Sequence, residues 1–220
     1  LIEVLANAGI ERIYGITGDS LNSVNDSLRR NGKISFEHVR HEETAAFAAG
    51  AEASLTGKLT VCAGSSGPGN LHLINGLFDC HRNRVPVLAI ASHIPQSEVG
   101  LNYFQETHPE NLFKECSCFC ELVSNPKQMP EILFRAMNAA VGNQDVAVIV
   151  LPGDVAVMEM EIDELPVWHH PRLPHIIPQR EDIEEMVAHL EKGERITLFC
   201  GAGCEGAHDE VVELAKRLQA

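Results

Sequence analysis

The feature that most constrains the fold is a pair of uninterrupted apolar runs, at residues 85–91 and 146–151. A strand that is apolar on both faces has to be buried on both faces, which is the habit of strands in a parallel sheet. Both runs have the length of a strand and are too short to cross a bilayer as a helix. Four further strands are predicted, at 12–16, 34–39, 59–63 and 119–123.

Helical patterns separate these strands. The first helix is expected to begin with Asp19 or Ser20 as its N-cap. Its apolar face is formed by Leu21, Val24 and Leu28. Three more helices are predicted, at 42–55, 71–80 and 126–141. The first of these three is crowded with Ala and Gly, whose small side chains allow close packing. The alternation of strand and helix predicts a doubly wound α/β domain.

A change in composition divides the chain after this domain. Five of the eleven prolines lie late in the chain, at positions 152, 166, 171, 174 and 178. We therefore expect a first domain over 1–155 and an extended linker over 156–180. A helix, a strand and a second helix are predicted beyond it, at 181–191, 196–200 and 207–218. A piece of about 40 residues cannot bury its own core, so residues 181–220 are predicted to begin a truncated second α/β domain.

The charge and the cysteines exclude some classes of protein. The chain has 17 Lys and Arg against 31 Asp and Glu, a net charge of −14, which argues against a nucleic-acid-binding surface. Its seven cysteines are an odd number and show no disulfide framework. A reducing cytoplasm is therefore the expected location.

Two sites on the first domain are candidates for chemistry. Glu42 lies where a predicted strand meets the next helix, the edge at which open α/β sheets bind ligands. On spacing alone, however, an acid in the first helical turn more often serves to stabilise the helix by interacting with its dipole. The Gly-rich turn from Ser65 to Gly69 follows a strand and opens a helix, so it offers backbone N–H groups to a ligand. A tight turn with no ligand explains the same residues equally well.

Two other patterns also have two interpretations. Residues 201–206 match G-x-G-x-x-G between a predicted strand and a predicted helix, which is the context of a dinucleotide site, but a lone match is weak. Cys116, Cys118 and Cys120 alternate along the chain and could present three thiols to a soft metal. Zinc sites usually have other spacings, so buried thiols are the favoured interpretation.

Four segments together resemble one family of enzymes. They are RHEETAAFAAGAEA at 40–53, SGPGNLHLINGLFDCHRN at 66–83, YFQETHP at 103–109 and VLPGDVA at 150–156. The chain resembles the thiamine-diphosphate-dependent flavoenzymes that act on pyruvate, and within them the quinone-dependent pyruvate dehydrogenases, or pyruvate oxidases. The resemblance covers essentially the whole chain and implies the pyrimidine-binding domain of that superfamily.

The resemblance assigns roles to particular residues. It makes Glu42 catalytic, as the carboxylate that hydrogen-bonds N1′ of the cofactor's aminopyrimidine and favours the tautomer that deprotonates the thiazolium. It places Thr17, Gly18, Ser65, Pro68 and His72 against the pyrimidine ring. It places Phe104 and Gln105 at the substrate, with Gln105 also near the cofactor. It places Gly201 and Gly203 at the flavin.

For the intact enzyme, the resemblance implies thiamine diphosphate, FAD and Mg²⁺ as cofactors, pyruvate as substrate and a quinone as electron acceptor. It also implies a homo-oligomer and peripheral attachment to the inner face of the cell membrane. The family binds Mg²⁺ through a Gly-Asp-Gly motif, which does not occur here, so the Mg²⁺ site is expected outside this chain. The chain alone should then be inactive and bind the cofactor weakly. The alternatives are a carboligase similar to acetolactate synthase and a non-catalytic dimerising module.

Overall fold

The computed structural model describes residues 1–160, 164–172, 174 and 176–220. Its strands are β1 (Arg12–Gly15), β2 (Ser35–His38), β3 (Thr60–Gly64), β4 (Val87–His93), β5 (Phe119–Leu122) and β6 (Val146–Pro152). Its helices are α1 (Ile2–Asn7), α2 (Asn22–Asn31), α3 (Glu42–Thr56), α4 (Pro68–Asn83), α5 (Pro109–Leu112), α6 (Met129–Asn143), α7 (Gly153–Ala156), α8 (Arg180–Leu190) and α9 (His208–Leu218). In the described part of the chain, no helix combines the length and apolarity that crossing a membrane requires.

The six strands form one sheet in the order β2-β1-β3-β4-β6-β5, and every pair of neighbours is parallel. The predicted parallel α/β fold is confirmed, as are the six strands predicted for the first domain, with ends that shift by up to two residues. Both of the apolar runs are fully buried strands, β4 and β6, inside the sheet.

Successive strand residues point to two different helical layers. On β3, Val61 belongs to the apolar cluster that includes α1, α2 and α6, while Cys62 belongs to the cluster of α3 and α4. On β4, Leu88 belongs to the first of these clusters and Ala89 to the second. Helices on both faces explain why the inner strands carry no polar alternation.

Close packing of α3 against α4 sets the geometry of one end of the sheet. A Cβ added to Gly76 would lie 2.5 Å from Ala46 Cβ, and one added to Gly50 would lie 2.6 Å from Cys80 Sγ. The contacts advance by four residues on both helices, so α3 and α4 run side by side in the same direction. The predicted role of the small residues is confirmed.

The start of α2, the helix for which Asp19 or Ser20 was the expected N-cap, differs from the prediction. Neither Asp19 nor Ser20 caps it; both lie in a short 3₁₀ turn, and α2 begins at Asn22 with no side-chain cap. Ser20 Oγ instead accepts a hydrogen bond from the backbone N–H of Ser66, 2.9 Å away. A long-range partner has replaced the local one. The predicted face of Leu21, Val24 and Leu28 is buried.

The chain forms two compact units, Leu1–Leu173 and Pro174–Ala220. Trp168, in the predicted linker, is buried in the first unit and donates a hydrogen bond from Nε1 to Asn138 Oδ1 at 2.9 Å. Residues 161–163, 173 and 175 of that predicted linker lie outside the described residues.

The second unit contains α8 and α9, whose bounds differ by at most one residue from those of the two helices predicted there. The strand predicted at 196–200 is wrong, because these residues adopt no regular structure and Phe199 is fully exposed. A strand needs a neighbour for its backbone hydrogen bonds, and the described residues of this unit contain none.

A candidate cofactor site at the carboxyl edge of the sheet

The site lies where the order of strands reverses. The chain passes from β1 outward to β2, and then returns to β3 on the other side of β1. Ligands of open α/β sheets bind beyond the carboxyl ends of the strands at such a point. Gly18 follows β1 and Ser65 follows β3, and a Cβ added to Gly18 would lie 2.7 Å from Ser65 Cβ. The sheet therefore brings these two predicted residues together.

The turn after β3 is shaped by glycine. Gly67 has φ +68°, a left-handed conformation that favours glycine, and Pro68 is the first residue of α4. A Cβ added to Gly69 would lie 2.7 Å from Ser65 Oγ and 3.2 Å from Glu42 Oε1. Any side chain at this position would therefore collide with Ser65 Oγ and crowd the Glu42 carboxylate.

Glu42 is buried although it is the first residue of α3, with 7% of its surface exposed. Its Oε2 lies 3.0 Å from Nδ1 of His72, in the first turns of α4. The pair continues the α3–α4 register by one step, since Glu42 and His72 precede the Ala46–Gly76 contact by four residues each. The neighbouring acid, Glu43, is half-exposed and hydrogen-bonded to Asn75.

His41 completes the group around this carboxylate. Its ring stacks on the ring of His72, with centroids 4.3 Å apart and planes 26° from parallel. Its Nδ1 accepts a hydrogen bond from the backbone N–H of Glu43 at 3.3 Å and so caps α3. The ligand atoms of His41, Glu42 and His72 all lie within 4.8 Å of one another.

A cavity of about 400 Å³ lies beside the turn, and the predicted substrate residues Phe104 and Gln105 line it. Gln105 packs on Gly67, whose added Cβ would lie 2.8 Å from Gln105 Cβ, and its Oε1 lies 3.5 Å from Ser66 Oγ. Phe104 is 78% exposed. Gln105 therefore lies against the glycine turn and Phe104 lines the adjacent cavity, and the substrate role of both stays a prediction.

His93 is a candidate that the sequence interpretation missed. It ends β4, lines the same cavity, and is 4% exposed, and its Nδ1 is buried without a hydrogen-bond partner. Burial lowers its pKa, which favours the neutral ring. Its position at the carboxyl end of a predicted strand is the signal that could have found it, although the run predicted there ended at residue 91.

The remaining three predicted site residues are all exposed. Thr17 is exposed beside Gly18. Gly201 and Gly203 are exposed in the second unit, where a Cβ added to either would meet nothing within 4 Å. The G-x-G-x-x-G match lacks the preceding strand that a dinucleotide site needs. The flavin role of these two glycines stays a prediction.

The three alternating cysteines do not share one strand face. Only Cys120 lies on β5, and in the described residues the three do not form a group with the spacing of a metal site. Burial raises the pKa of Cys116 to about 11 and that of Cys120 to about 12. Both thiols are therefore protonated at neutral pH. The interpretation as buried thiols is confirmed for Cys116 and wrong for Cys118, which is exposed, while Cys120 is half-buried.

The arrangement fits the aminopyrimidine of thiamine diphosphate. Glu42 is buried and its Oε1 lies beside Gly69, where the absence of a side chain allows a flat ring to approach the carboxylate. Ser65 and Gly18 line the adjoining wall. A carboxylate held this way can accept a hydrogen bond from a heterocycle and exchange a proton with it.

Comparisons with known proteins agree with this fit. Residues 1–112 match the family model described as "Thiamine pyrophosphate enzyme, N-terminal TPP binding domain"; thiamine pyrophosphate is thiamine diphosphate. The chain is 58% identical over 219 residues to the "Uncharacterized 42.6 kDa protein in isoamylase 3′region" of Pseudomonas amyloderamosa, covering 99% of this chain and 55% of that protein.

Two further relatives are named for an enzymatic activity. Over 227 residues the chain is 33% identical to the pyruvate oxidase of Lactiplantibacillus plantarum, covering all of this chain and 37% of the oxidase. Over 230 residues it is 32% identical to the acetolactate synthase of Arthrospira platensis, covering all of this chain and 39% of the synthase. The chain thus spans between about a third and about half of these relatives. It belongs to the thiamine pyrophosphate enzyme family and carries the N-terminal cofactor-binding domain of that family.

Proposed function

We propose that this chain supplies the pyrimidine-binding half of an enzyme that oxidatively decarboxylates pyruvate to acetate and carbon dioxide. The observation that carries the proposal is the buried Glu42 carboxylate, which lies beside Gly69 of the glycine-rich turn at the point where the strand order reverses. When bound, thiamine diphosphate supplies the electron sink for the decarboxylation. Pyruvate oxidase from L. plantarum is among the relatives.

The chain's own residues would bind and orient the ring. Glu42 would hold or release a proton at the pyrimidine nitrogen of the cofactor. His72 would hold the carboxylate in position through the 3.0 Å contact between Nδ1 and Oε2. Gly18, Ser65 and Pro68 would form the wall against which the ring lies, and the close approach at Gly69 would keep water from the carboxylate.

The partners of the complete protein are part of the proposal. FAD would receive the electrons and pass them to a quinone, and Mg²⁺ would bind the diphosphate group outside this chain. Phe104 and Gln105 would contact pyruvate from the 400 Å³ cavity. A homo-oligomer would bring the diphosphate-binding part of a second copy to the open side of Glu42.

A carboligase that makes acetolactate is the second candidate, and the 32% identity to the acetolactate synthase of A. platensis favours it. This identity is close to the 33% shared with the oxidase, so sequence identity does not separate the two reactions. The Phe-Gln-Glu-Thr-His-Pro block at 104–109, which resembles the pyruvate enzymes, favours the oxidase.

The test is product analysis of the full-length protein with pyruvate, thiamine diphosphate, Mg²⁺ and FAD. Acetate together with reduction of an artificial electron acceptor supports the proposal, whereas acetolactate selects the carboligase. The Glu42→Gln variant should lower turnover by about 10²–10⁴-fold, because the carboxylate can no longer exchange a proton. The matched control is Glu43→Gln, which makes the same change at the neighbouring, half-exposed acid. Full activity of Glu42→Gln would remove Glu42 from the mechanism.

A further inference from the structure

The group of His41, Glu42 and His72 has a second use that the reaction does not require. We propose that these three side chains bind a divalent transition metal of the Zn²⁺ type, and that the bound metal excludes the cofactor from Glu42. The evidence for the metal site is the positions of these three side chains, and it does not depend on the proposed function. The exclusion of the cofactor rests on the proposed function.

The distances suit a small metal ion. Zinc lies about 2.0–2.2 Å from nitrogen and oxygen ligands, so ligand atoms around a tetrahedral zinc are separated by about 3.3 Å. Glu42 Oε2 and His72 Nδ1 are already 3.0 Å apart. All three ligand atoms fall within 4.8 Å of one another, so modest side-chain rotations bring them to one ion.

The ligand types select the class of metal. Two imidazoles and one carboxylate form a set that zinc uses in open sites, with the fourth position left to water. Imidazole also suits Cu²⁺ and Ni²⁺, whereas Mg²⁺ prefers oxygen ligands throughout. This site is therefore distinct in chemistry from the Mg²⁺ site that the diphosphate group requires.

The protein holds the ligands in place before a metal arrives. Glu42 and His72 lie on helices whose spacing is fixed by the Ala46–Gly76 contact, and the stacked His41 ring is held by the backbone N–H of Glu43. His41 and His72 are open to solvent, so an ion can reach them. Preorganised ligands lose little freedom on binding.

Metal binding and cofactor binding compete for one carboxylate. A metal bound through Oε2 would make the Glu42 carboxylate one of its ligands, and the proposed function needs the same carboxylate to exchange a proton with the pyrimidine. We expect each ligand to weaken the binding of the other by the same factor. Zinc would therefore act as a reversible inhibitor of cofactor loading.

The test measures Zn²⁺ binding to the chain by competition with a chromophoric chelator, after alkylation of accessible thiols, which include the exposed Cys118 and Cys200 and the half-buried Cys204. We expect one site that is weakened by at least about tenfold in His41→Asn and in His72→Gln. The matched control is His189→Gln, which removes an exposed imidazole from the second unit and should leave this site unchanged. Circular dichroism confirms that each variant is folded.

The outcomes separate the two parts of the proposal. Equal zinc affinity in the original chain and both cluster variants would overturn the metal site. Competition is measured on the full-length protein at a thiamine concentration that calorimetry shows to be saturating, because thiamine carries the pyrimidine but no diphosphate that could chelate zinc. If thiamine leaves the zinc affinity unchanged, the exclusion is overturned while the metal site holds. Failure of the proposed function would instead appear as full activity of the Glu42→Gln enzyme.

Discussion

The Gly76→Ala variant tests whether the α3–α4 contact holds the site together. The added Cβ would lie 2.5 Å from Ala46 Cβ, 2.8 Å from the carbonyl oxygen of Glu43 and 3.0 Å from the backbone nitrogen of Phe47. Two of these three atoms belong to the backbone, so the helices have to separate. Overpacking of this kind costs about 1–3 kcal/mol, and we expect the upper end of that range.

The better helix propensity of Ala offsets about 1 kcal/mol of this cost, which leaves a net loss of about 2 kcal/mol. For a chain of this size, the loss lowers Tm by about 4–8 °C. Urea unfolding followed by the fluorescence of Trp168 measures the change in the first unit, because this single tryptophan is buried there. The Ala46→Gly change in the same chain should recover part of the loss, because it removes the nearest of the three atoms.

The matched control is Gly142→Ala in α6. An added Cβ there meets nothing within 4 Å, so the same substitution should stabilise the chain by up to about 1 kcal/mol. Opposite signs for the two variants would confirm the packing argument. A Gly76→Ala chain as stable as the original would refute it, and with it the explanation of why Glu42 and His72 meet.

Other expected results concern the buried groups and the ligand site. Burial raises the pKa of Cys80 and Cys120 to about 12, so the stability that their protonated thiols contribute is fully present below about pH 9 and is lost as pH rises toward 12; the free energy of unfolding in urea should fall by on the order of 1 kcal/mol per thiol at pH 10, and a Cys80→Ala, Cys120→Ala chain should show a smaller dependence on pH. Asn138→Ala leaves the buried Trp168 N–H without an acceptor and should cost about 1–3 kcal/mol in urea unfolding; an unchanged midpoint would contradict this. Gly69→Ala should abolish thiamine binding by the full-length protein, measured by calorimetry, while its fold persists. The chain alone should bind thiamine diphosphate weakly, and micromolar affinity in the same assay would show that the other half of the site is dispensable.

Features that depend on local pattern could be predicted from the sequence. Buried strands with two apolar faces specify a parallel sheet, and the Ala and Gly positions of residues 42–55 specify a close helix contact. The position of Glu42 after a strand placed it at the ligand edge. Its burial, however, follows from the register of α3 against α4, which the sequence does not show directly.

Features that depend on long-range partners could not be predicted. The cap expected at Ser20 was lost to the backbone of Ser66, 46 residues away. The stacking of His41 on His72 joins residues 31 positions apart and requires the same helix register. The strand predicted at 196–200 had the right residue types, but a strand forms only beside another strand.

The strand order β4-β6-β5 has a consequence for how the chain is made. Ribosomes synthesise β5 before β6, yet β5 sits at the edge of the sheet with β6 as its neighbour, and β6 has to enter between β5 and β4. Until residue 152 has emerged from the ribosome, the edge of β4 has no partner, and β5 can pair with β4 at the position that β6 occupies in the folded protein. A nascent polypeptide paused in this interval is the form of the protein most exposed to mispairing and aggregation.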